Sequence, residues 1–163
     1  MNELIPIDTE YKGCFFRSRL EARWAVFFEK MGWNWRYEVE GFQLPSGNYL
    51  PDFYFPDLKI YAEVKPQFLN KKEFRLCCEL SEILSEGKQD ELNVLLLEGD
   101  MCWKTQRGIV SGEYCQDVVP MPLDHRFYPF FYNSTFDPKY FDETADIITY
   151  ARSARFEFEW KEK

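Results

Sequence analysis

Apolar residues recur at helical spacing near the start of the chain and then at every second position. Between residues 17 and 31 they fall on one face of a predicted helix, which Ser18 can cap and Gly32 can end. The apolar positions of that face are Leu20, Trp24, Phe27, Phe28 and Met31. From Trp33 to Val39 apolar and polar residues alternate, and this period of two predicts a strand.

The next part of the chain alternates short apolar runs with turn-forming residues. Three further strands are predicted, at 42–44, 49–55 and 60–65. Residues 70–86 are predicted to form a helix, and the wholly apolar run 93–97 is typical of a buried strand beside a helix. Apart from the short strand at 42–44, the order is α-β-β-β-α-β, which predicts an α/β fold with a central mixed β-sheet flanked by helices.

The length of 163 residues favours a single domain over residues 1–163. The core of this domain is expected at about residues 11–98. Residues 99–163 are expected to add an aromatic segment and a terminal helix at 142–155. No run approaches the ~18 apolar residues of a membrane span, and the first residues lack the basic and apolar regions of a signal peptide. We therefore expect a cytoplasmic protein with no membrane partner.

The net charge of −8 bears on the expected partner. A strong binder of duplex DNA usually presents a basic face, so this acidity argues against one. The charge is uneven, however, because residues 1–82 hold 11 basic and 13 acidic side chains, whereas residues 83–163 hold 9 and 15. The nearly balanced half also contains the candidate chemistry. A nucleic-acid partner therefore stays in consideration, and so does a protein partner that meets the acidic surface.

A predicted hairpin sets two acidic residues opposite each other. If its turn is centred on Asp57 and Leu58, Asp52 pairs with Glu63, with Cβ atoms about 4.5–5.5 Å apart. Lys65 lies on the same face as Glu63 because side chains alternate along a strand. Facing carboxylates repel each other, so their position within apolar strands favours a divalent cation between them, Mg²⁺ with Mn²⁺ as a substitute. The alternative is a solvated Glu63–Lys65 ion pair at the surface with a separate acid at Asp52.

These residues also resemble a known family. Glu21 on a helix, Pro51-Asp52 on a strand and Glu63-Val64-Lys65 on the next strand resemble the PD-(D/E)XK nuclease superfamily, over about residues 11–98. The layout is similar to small nucleases of phages and mobile elements and to phage Holliday-junction resolvases. The resemblance implies a restriction-endonuclease-like core and a metal-dependent endonuclease that hydrolyses phosphodiester bonds of DNA. It also implies 5′-phosphate and 3′-hydroxyl products, and a host-cell cytoplasm if a phage encodes the chain.

The resemblance assigns a role to each residue of the motif. Asp52 and Glu63 are expected to ligate the metal, with the Val64 carbonyl as a third ligand. Lys65 is expected to be the catalytic lysine, which orients or deprotonates the attacking water or neutralises transition-state charge. Glu21 is expected to reach the site from the first helix. For Glu21 there is an alternative, because Ser18 and Glu21 have the spacing of a capping box.

Basic side chains near the motif are candidate DNA contacts. Such residues bind phosphates and position a substrate without determining sequence specificity. The candidates are Arg17, Lys71, Lys72, Arg75 and Arg152. An ordinary solvated helix surface is the alternative for each of them. The aromatic run at 127–136 can stack on unpaired bases, pack in the core or close a dimer.

Two other functions fit the sequence. One is a structure-selective resolvase of the Holliday-junction type, which would act as a homodimer. The other is a non-catalytic binding or inhibitory protein that keeps a nuclease fold and uses its acidic surface. Lys65 argues against the second, because a protein that only binds has no need for the lysine of the motif.

Overall fold

The chain folds into an α/β structure built on a mixed seven-stranded sheet. The computed structural model describes residues 7–87, 92–99, 101, 106–110, 114–121, 126–129 and 138–156. Within those ranges the helices are α1 (Arg19–Lys30), α2 (Lys71–Ser85) and α3 (Pro138–Ser153). The strands are β1 (Thr9–Tyr11), β2 (Cys14–Phe16), β3 (Arg36–Tyr37), β4 (Phe42–Leu44), β5 (Gly47–Tyr49), β6 (Phe53–Phe55), β7 (Ile60–Lys65), β8 (Leu92–Glu98), β9 (Gln106–Val110), β10 (Tyr114–Met121) and β11 (Arg126–Pro129). The predicted α/β class and mixed sheet are confirmed.

The large sheet has the strand order β11-β10-β9-β8-β7-β6-β3. Strands β7 and β8 run parallel, whereas the other neighbouring strands of this sheet run antiparallel. A parallel pair needs a crossover connection, and α2 supplies it between β7 and β8. The β1–β2 and β4–β5 hairpins form two separate small sheets.

Strand β7 lies between two apolar cores and is buried on both faces. Ala62 and Val64 join the core formed with α1 and α3, whereas Tyr61 joins the core formed with α2 and the β4–β5 hairpin. Because side chains alternate along a strand, Glu63 lies on the α2 side with Tyr61. A carboxylate in such a strand has to find polar partners inside the protein.

The first helix follows the sequence pattern closely. Ser18 caps it, since its backbone is extended and its hydroxyl accepts the Glu21 amide at 3.2 Å. Met31 is the C-cap of the helix, and Gly32 follows with a φ of +73°, a left-handed conformation that glycine adopts without strain. The predicted apolar face is confirmed. Its buried members are Trp24, Phe27, Phe28 and Met31, and Leu20 packs against the same core.

The other two helices are also present where they were predicted, with shifted ends. Asn70 caps α2 and forms a complete capping box with Glu73. The terminal helix spans Pro138–Ser153 rather than 142–155, and Ile148 and Ala151 are buried on its inner face. Among the residues described, no helix combines the length and the apolar character needed to cross a membrane.

Two predicted strands are shorter in the structure. The strand predicted at 49–55 breaks into β5, which pairs with β4, and β6, which joins the large sheet. Pro51 explains the break, because proline has no amide hydrogen to donate to a strand ladder. The strand predicted over residues 33–39 forms only at β3, since Glu38 takes a left-handed φ of +46° and ends it.

Strands β1, β2 and β9 to β11 were not predicted from the sequence. Lys12 and Gly13 form the two-residue turn of the β1–β2 hairpin, both with positive φ. Of the aromatic segment at 127–136, only the strand backbone up to Pro129 is described, and residues 130–137 lie outside the described ranges. Its role in base stacking, packing or dimer formation stays a prediction.

Phe28 is expected to contribute strongly to the stability of the core on the α1 side. Its fully buried ring contacts the rings of Trp24, Trp33, Phe53 and Phe55. Phe28→Ala is expected to lower the free energy of unfolding by about 3–5 kcal/mol, because apolar contact is lost and a cavity remains. Phe15→Ala at an exposed ring is the control, with an expected change within about 0.5 kcal/mol. Urea denaturation measures both, and a Phe28→Ala loss as small as the control's would contradict this packing.

Candidate active site

The hairpin of β6 and β7 sets Asp52 against Glu63, as its turn length predicts. The register pairs Phe53 with Ala62, so the position opposite Asp52 is that of Glu63. Asp52 itself lies just before β6 begins. The predicted register of the hairpin is therefore confirmed, although Asp52 approaches β7 from the end of the strand rather than from within it.

The Asp52 carboxylate acts as a hydrogen-bond partner for the edge of β7. Strand β6 starts only at Phe53 and does not extend alongside Val64. There Asp52 Oδ2 accepts the Val64 amide at 2.7 Å in place of a strand partner. The amide and carbonyl of one strand residue point to the same side, so the Val64 carbonyl also faces this edge. Asp52 Oδ1 lies 3.3 Å from a guanidinium nitrogen of Arg17. Only 3% of Asp52 is exposed, so these bonds replace most of its hydration.

The Glu63 carboxylate is buried on the α2 side of the sheet and has two polar partners. The Tyr49 hydroxyl donates to Oε2 at 2.8 Å, and Lys65 Nζ lies 3.0 Å from Oε1. The partly exposed Lys65 also approaches Glu73, at 3.9 Å. We refer to Asp52, Glu63 and Lys65 as the carboxylate–lysine cluster. It joins two buried acids and one amine at the end of a hairpin.

Burial raises the pKa of both carboxyl groups in the cluster. For Asp52 burial has the largest effect and the charge of Glu63 adds to it, while the hydrogen bond from the Val64 amide opposes it. For Glu63 burial is again the largest effect, and Lys65 and the Tyr49 hydroxyl offset part of it. Since two buried negative charges repel each other, a cation bound to both would lower the free energy of the ionised pair.

Lys65 has a raised pKa despite its burial. Burial lowers the pKa of the amine, but the negative charges of Glu63, Asp52 and Glu73 together outweigh it. The amine is therefore protonated at neutral pH in this arrangement. A protonated amine donates hydrogen bonds and stabilises negative charge, whereas it cannot accept a proton.

Glu21 takes part both in the start of α1 and in the surroundings of the cluster. The Ser18 hydroxyl accepts the Glu21 amide and donates to Oε1 at 2.7 Å, and the Tyr37 hydroxyl donates to Oε2. Its carboxylate thus bonds two hydroxyl groups, whereas a capping box would direct it to the Ser18 amide. The charge of Glu21 also raises the pKa of Asp52, which makes the two carboxylates electrostatic neighbours.

Arg17 is the predicted phosphate contact that the structure brings to the cluster. Its guanidinium forms ion pairs with Glu38 and Asp52, and most of its side chain is exposed. Glu38 has a positive φ, and its amide donates to the Asp52 carbonyl at 2.9 Å. Arg17 therefore lies between the cluster and solvent, where an incoming phosphate can reach it.

The other predicted phosphate contacts are exposed side chains that lie on α2 and α3. Lys71 and Lys72 lie in the first turn of α2, which follows β7 and Lys65 in the chain. Arg75 is one turn further on and pairs with Glu79 at 3.2 Å. The structure does not bring Arg152 to the cluster, because it lies in the last turn of α3.

The position of α3 explains the separation of Arg152. Tyr150 of α3 packs under the Lys30 ammonium, 4.5 Å from the ring centre. Lys30 ends α1, whereas Glu21 lies in its first turn. Nine residues of helix separate the two, which is roughly 13 Å along the axis. Arg152 therefore lies toward the end of α1 opposite the cluster.

The donor set fits a hard divalent cation only if water completes it. Among the described residues, no group of three or more His, Cys, Asp or Glu side chains is positioned to hold a metal ion. The Asp52 carboxylate and the Val64 carbonyl provide oxygen atoms at the edge of β7, and the Glu63 carboxylate on the α2 side is an electrostatic neighbour of Asp52. Oxygen ligands, few protein groups and retained waters are the usual coordination of Mg²⁺. The chemistry of these oxygens is therefore compatible with Mg²⁺ and Mn²⁺, and unlike that of a thiolate or imidazole zinc site.

Two tyrosines that hold the acids of the site were missed by the sequence interpretation. Tyr49 is 14 residues from Glu63, and Tyr37 is 16 residues from Glu21. Local periodicity gives the face of a residue, but it does not pair a hydroxyl with a distant carboxylate. The signal available in the sequence was an acidic residue on an otherwise apolar strand face, because a buried carboxylate needs hydrogen-bond donors.

The raised carboxyl pKa values predict that the metal-free protein loses stability as the pH rises. From the ordinary carboxyl pKa of about 4 up to the raised values, the folded state binds more protons than the unfolded state, so the free energy of unfolding falls. Asp52→Asn removes one of the two charges and is expected to flatten this slope. It should also raise the melting temperature in chelator at neutral pH by roughly 2–4 °C. Thermal denaturation from pH 5 to 8 measures this, with Asp57→Asn in the exposed turn as control. Equal slopes for Asp52→Asn and wild type would contradict the electrostatics described.

Comparison with known proteins gives no relative for this chain. No family model matches it, and neither the curated proteins nor the solved structures give a significant match. The site combines two buried acids and a protonated amine of the hairpin region with the exposed guanidinium of Arg17, which precedes α1.

Proposed function

We propose that this chain is a metal-dependent endonuclease that hydrolyses phosphodiester bonds of DNA. The observation that supports it most is the carboxylate–lysine cluster, in which Lys65 Nζ lies 3.0 Å from the carboxylate of Glu63, the residue opposite Asp52 in the hairpin register. Both acids are buried, with 3% of Asp52 and 5% of Glu63 exposed. An ordinary surface ion pair would be solvated, so the burial favours the catalytic interpretation over that alternative.

In this proposal the core is of the PD-(D/E)XK type and restriction-endonuclease-like. Helix α1, strand β3, the β6–β7 hairpin, crossover helix α2 and strand β8 would form that core, in the predicted order α-β-β-β-α-β. The remaining strands β9 to β11 would extend its sheet. The order of the motif residues supports this assignment, with Glu21 on α1, Asp52 just before β6, and Glu63 and Lys65 on β7.

The acids of the cluster would hold the metal. Asp52, Glu63 and the Val64 carbonyl would supply its protein ligands, with Mn²⁺ able to replace Mg²⁺. When bound, Mg²⁺ polarises a phosphate oxygen and lowers the pKa of a coordinated water. Tyr49 keeps the Glu63 carboxylate oriented through its hydrogen bond to Oε2. Glu21 would act from outside the ligand set, held by Ser18 and Tyr37.

Lys65 would act as a cation. In the metal-free protein the charges of Glu63, Asp52 and Glu73 raise its pKa, so the amine is protonated there. It would donate hydrogen bonds toward the attacking water or the negative charge that develops on the phosphate oxygens. Arg17, Lys71 and Lys72 would position the DNA through its phosphates.

The proposal is tested by incubating the protein with end-labelled duplex, branched and single-stranded DNA. Each reaction is run with Mg²⁺, with Mn²⁺ and with chelator. We expect internal cleavage of at least one of these DNAs that requires either metal and stops in chelator. Absence of cleavage on every DNA with both metals, from protein whose folding is confirmed by circular dichroism, would overturn the proposal.

Tyr49 is expected to be a positioning residue for Glu63. Tyr49→Phe removes the donor to Oε2, so it is expected to lower the cleavage rate and the Mg²⁺ affinity by roughly 10–100-fold, as loss of an outer partner of a metal ligand does. Cys77→Ala is the control, because Cys77 contacts the same hydroxyl at 3.2 Å without touching Glu63. Titration of cleavage against Mg²⁺ measures both effects. Equal behaviour of the two variants would remove Tyr49 from this role.

A further inference from the structure

An exposed phenylalanine follows the cluster on the loop between β7 and α2. Phe68 has 80% of its surface exposed and lies three positions after Lys65. Single exposed apolar residues are common on protein surfaces, so exposure by itself indicates nothing. The contacts beneath the ring and the fixed loop that presents it distinguish Phe68 from such residues.

The ring of Phe68 is supported from below by a guanidinium. The Arg107 guanidinium carbon lies 5.5 Å from the centre of Phe68 and 5.6 Å from the centre of Phe74. These distances are in the range of cation–π contacts. Phe74 belongs to α2 and packs against the core on that side, so the base of this arrangement is anchored. We refer to Phe68, Arg107 and Phe74 as the Phe68 platform.

Glu98 fixes both the guanidinium and the loop. Its carboxylate oxygens accept two hydrogen bonds from Arg107, each at 2.6 Å. Glu98 Oε1 also accepts the Leu69 amide at 2.8 Å, directly after Phe68. Glu98 pairs with Lys65 in the register of β7 and β8. The platform is therefore tied to the same two strand ends as the catalytic amine.

A preorganised aromatic ring beside a cation suits a flat, electron-rich ring as its ligand. Every nucleobase has a face that stacks on an aromatic side chain, and a base can stack only when it is not enclosed in a paired helix. Lys71 and Lys72 are exposed just after the loop, where they can reach the phosphates of a stacked nucleotide. Because Phe68 is held by its neighbours, little conformational entropy is lost on binding.

We propose that Phe68 stacks an unpaired base of the DNA next to the scissile phosphate. The chain is then selective for DNA with a single-stranded or splayed segment at the cleavage position. This inference rests on the proposed nuclease function, because it takes the carboxylate–lysine cluster as the place where DNA is cleaved. Stacking itself can be measured without cleavage, so the two proposals can fail separately.

The experiment uses two DNAs that contain the fluorescent base 2-aminopurine, one fully paired and one with the base in a single-stranded flap. Ca²⁺ replaces Mg²⁺ so that binding is measured without cleavage. Phe68→Ala is compared with wild type and with Phe68→Trp, which keeps a stacking ring. Tyr150→Ala is the matched control, because Tyr150 is also an exposed ring over a cation but lies at the far end of α1.

We expect wild type, Phe68→Trp and Tyr150→Ala to quench the flap fluorescence on binding. Phe68→Ala should lose the quenching and bind the flap DNA about tenfold more weakly, with unchanged affinity for the paired DNA. If Phe68→Ala retains wild-type quenching and flap affinity, or weakens both DNAs equally, the platform is overturned. The platform is also overturned if wild type fails to bind the flap DNA.

Cleavage in Mg²⁺ separates this inference from the proposed function. Metal-dependent cleavage by wild type together with unchanged flap binding by Phe68→Ala leaves the nuclease and removes the platform. Phe68-dependent flap binding by a wild type that cleaves no DNA leaves the platform and removes the nuclease.

Discussion

Replacing Lys65 with methionine is expected to lower the rate of DNA cleavage by about 10²–10³-fold while metal binding persists. That factor is typical for loss of one donor that stabilises developing transition-state charge. Lys65 Nζ is 3.0 Å from Glu63, and although burial lowers the pKa of the amine, the charges of Glu63, Asp52 and Glu73 raise it overall in the metal-free protein. Methionine has a similar length and no charge, and the partly exposed site accommodates it. The variant therefore removes the cation without removing either acid.

Single-turnover cleavage of labelled DNA at saturating Mg²⁺ measures this effect. Lys59→Met is the matched control, because Lys59 is exposed in the turn that precedes β7 and has no contact with the cluster among the bonds described. Its expected rate is that of wild type. A Lys65→Met rate equal to the control rate would show that the amine has no part in the chemistry. Rescue by Lys65→Arg would instead indicate that positive charge alone is required.

Replacing Glu63 with glutamine is expected to abolish both cleavage and the stabilisation of the fold by Mg²⁺. The amide still accepts the Tyr49 hydroxyl, so the local packing is retained, but the proposed metal ligand and its charge are lost. In the wild type, Mg²⁺ at about 100 times its dissociation constant should add about 2.7 kcal/mol to the free energy of unfolding. For a domain of this size that is a rise of roughly 5–10 °C in melting temperature.

Thermal denaturation with and without Mg²⁺ measures the stabilisation, and the cleavage assay measures the rate. Glu82→Gln on the exposed side of α2 is the matched control, with the wild-type response expected in both. Glu63→Gln should show no Mg²⁺-dependent shift and a cleavage rate at least about 10²-fold below that of wild type. A full Mg²⁺ shift in Glu63→Gln would place the metal elsewhere and would contradict the assignment.

The parts of the site predicted from the sequence are those that depend on local geometry. A four-residue turn fixes the register of β6 and β7, so the position of Asp52 opposite Glu63 followed from counting. Helical spacing gave the buried face of α1, and Ser18 gave its start. These features need only the periodicity of the backbone and a cap.

The parts that were missed depend on contacts between distant segments. Tyr37 and Tyr49 donate to Glu21 and Glu63 only because β3 and β5 are folded back on the hairpin and helix. The break at Pro51 has a local cause in the missing amide hydrogen, but the separate partners of β5 and β6 depend on tertiary contacts.

The Phe68 platform was missed for the same reason. Arg107 comes from β9, about forty positions after the ring that it supports. No local pattern brings a guanidinium under an aromatic ring over that separation. Strands β9 to β11 were not predicted either, so no residue of β9 was expected near the site.

The most direct test of the nuclease assignment is the chemistry of the cleaved ends. A labelled flap DNA is incubated with wild type and Mg²⁺, and the products are identified by mass spectrometry, with Lys65→Met and Glu63→Gln in parallel. We expect 5′-phosphate and 3′-hydroxyl ends from wild type, and a strong loss of those products in both variants. Intact DNA with wild type, or equal cleavage by all three proteins, would contradict the nuclease assignment.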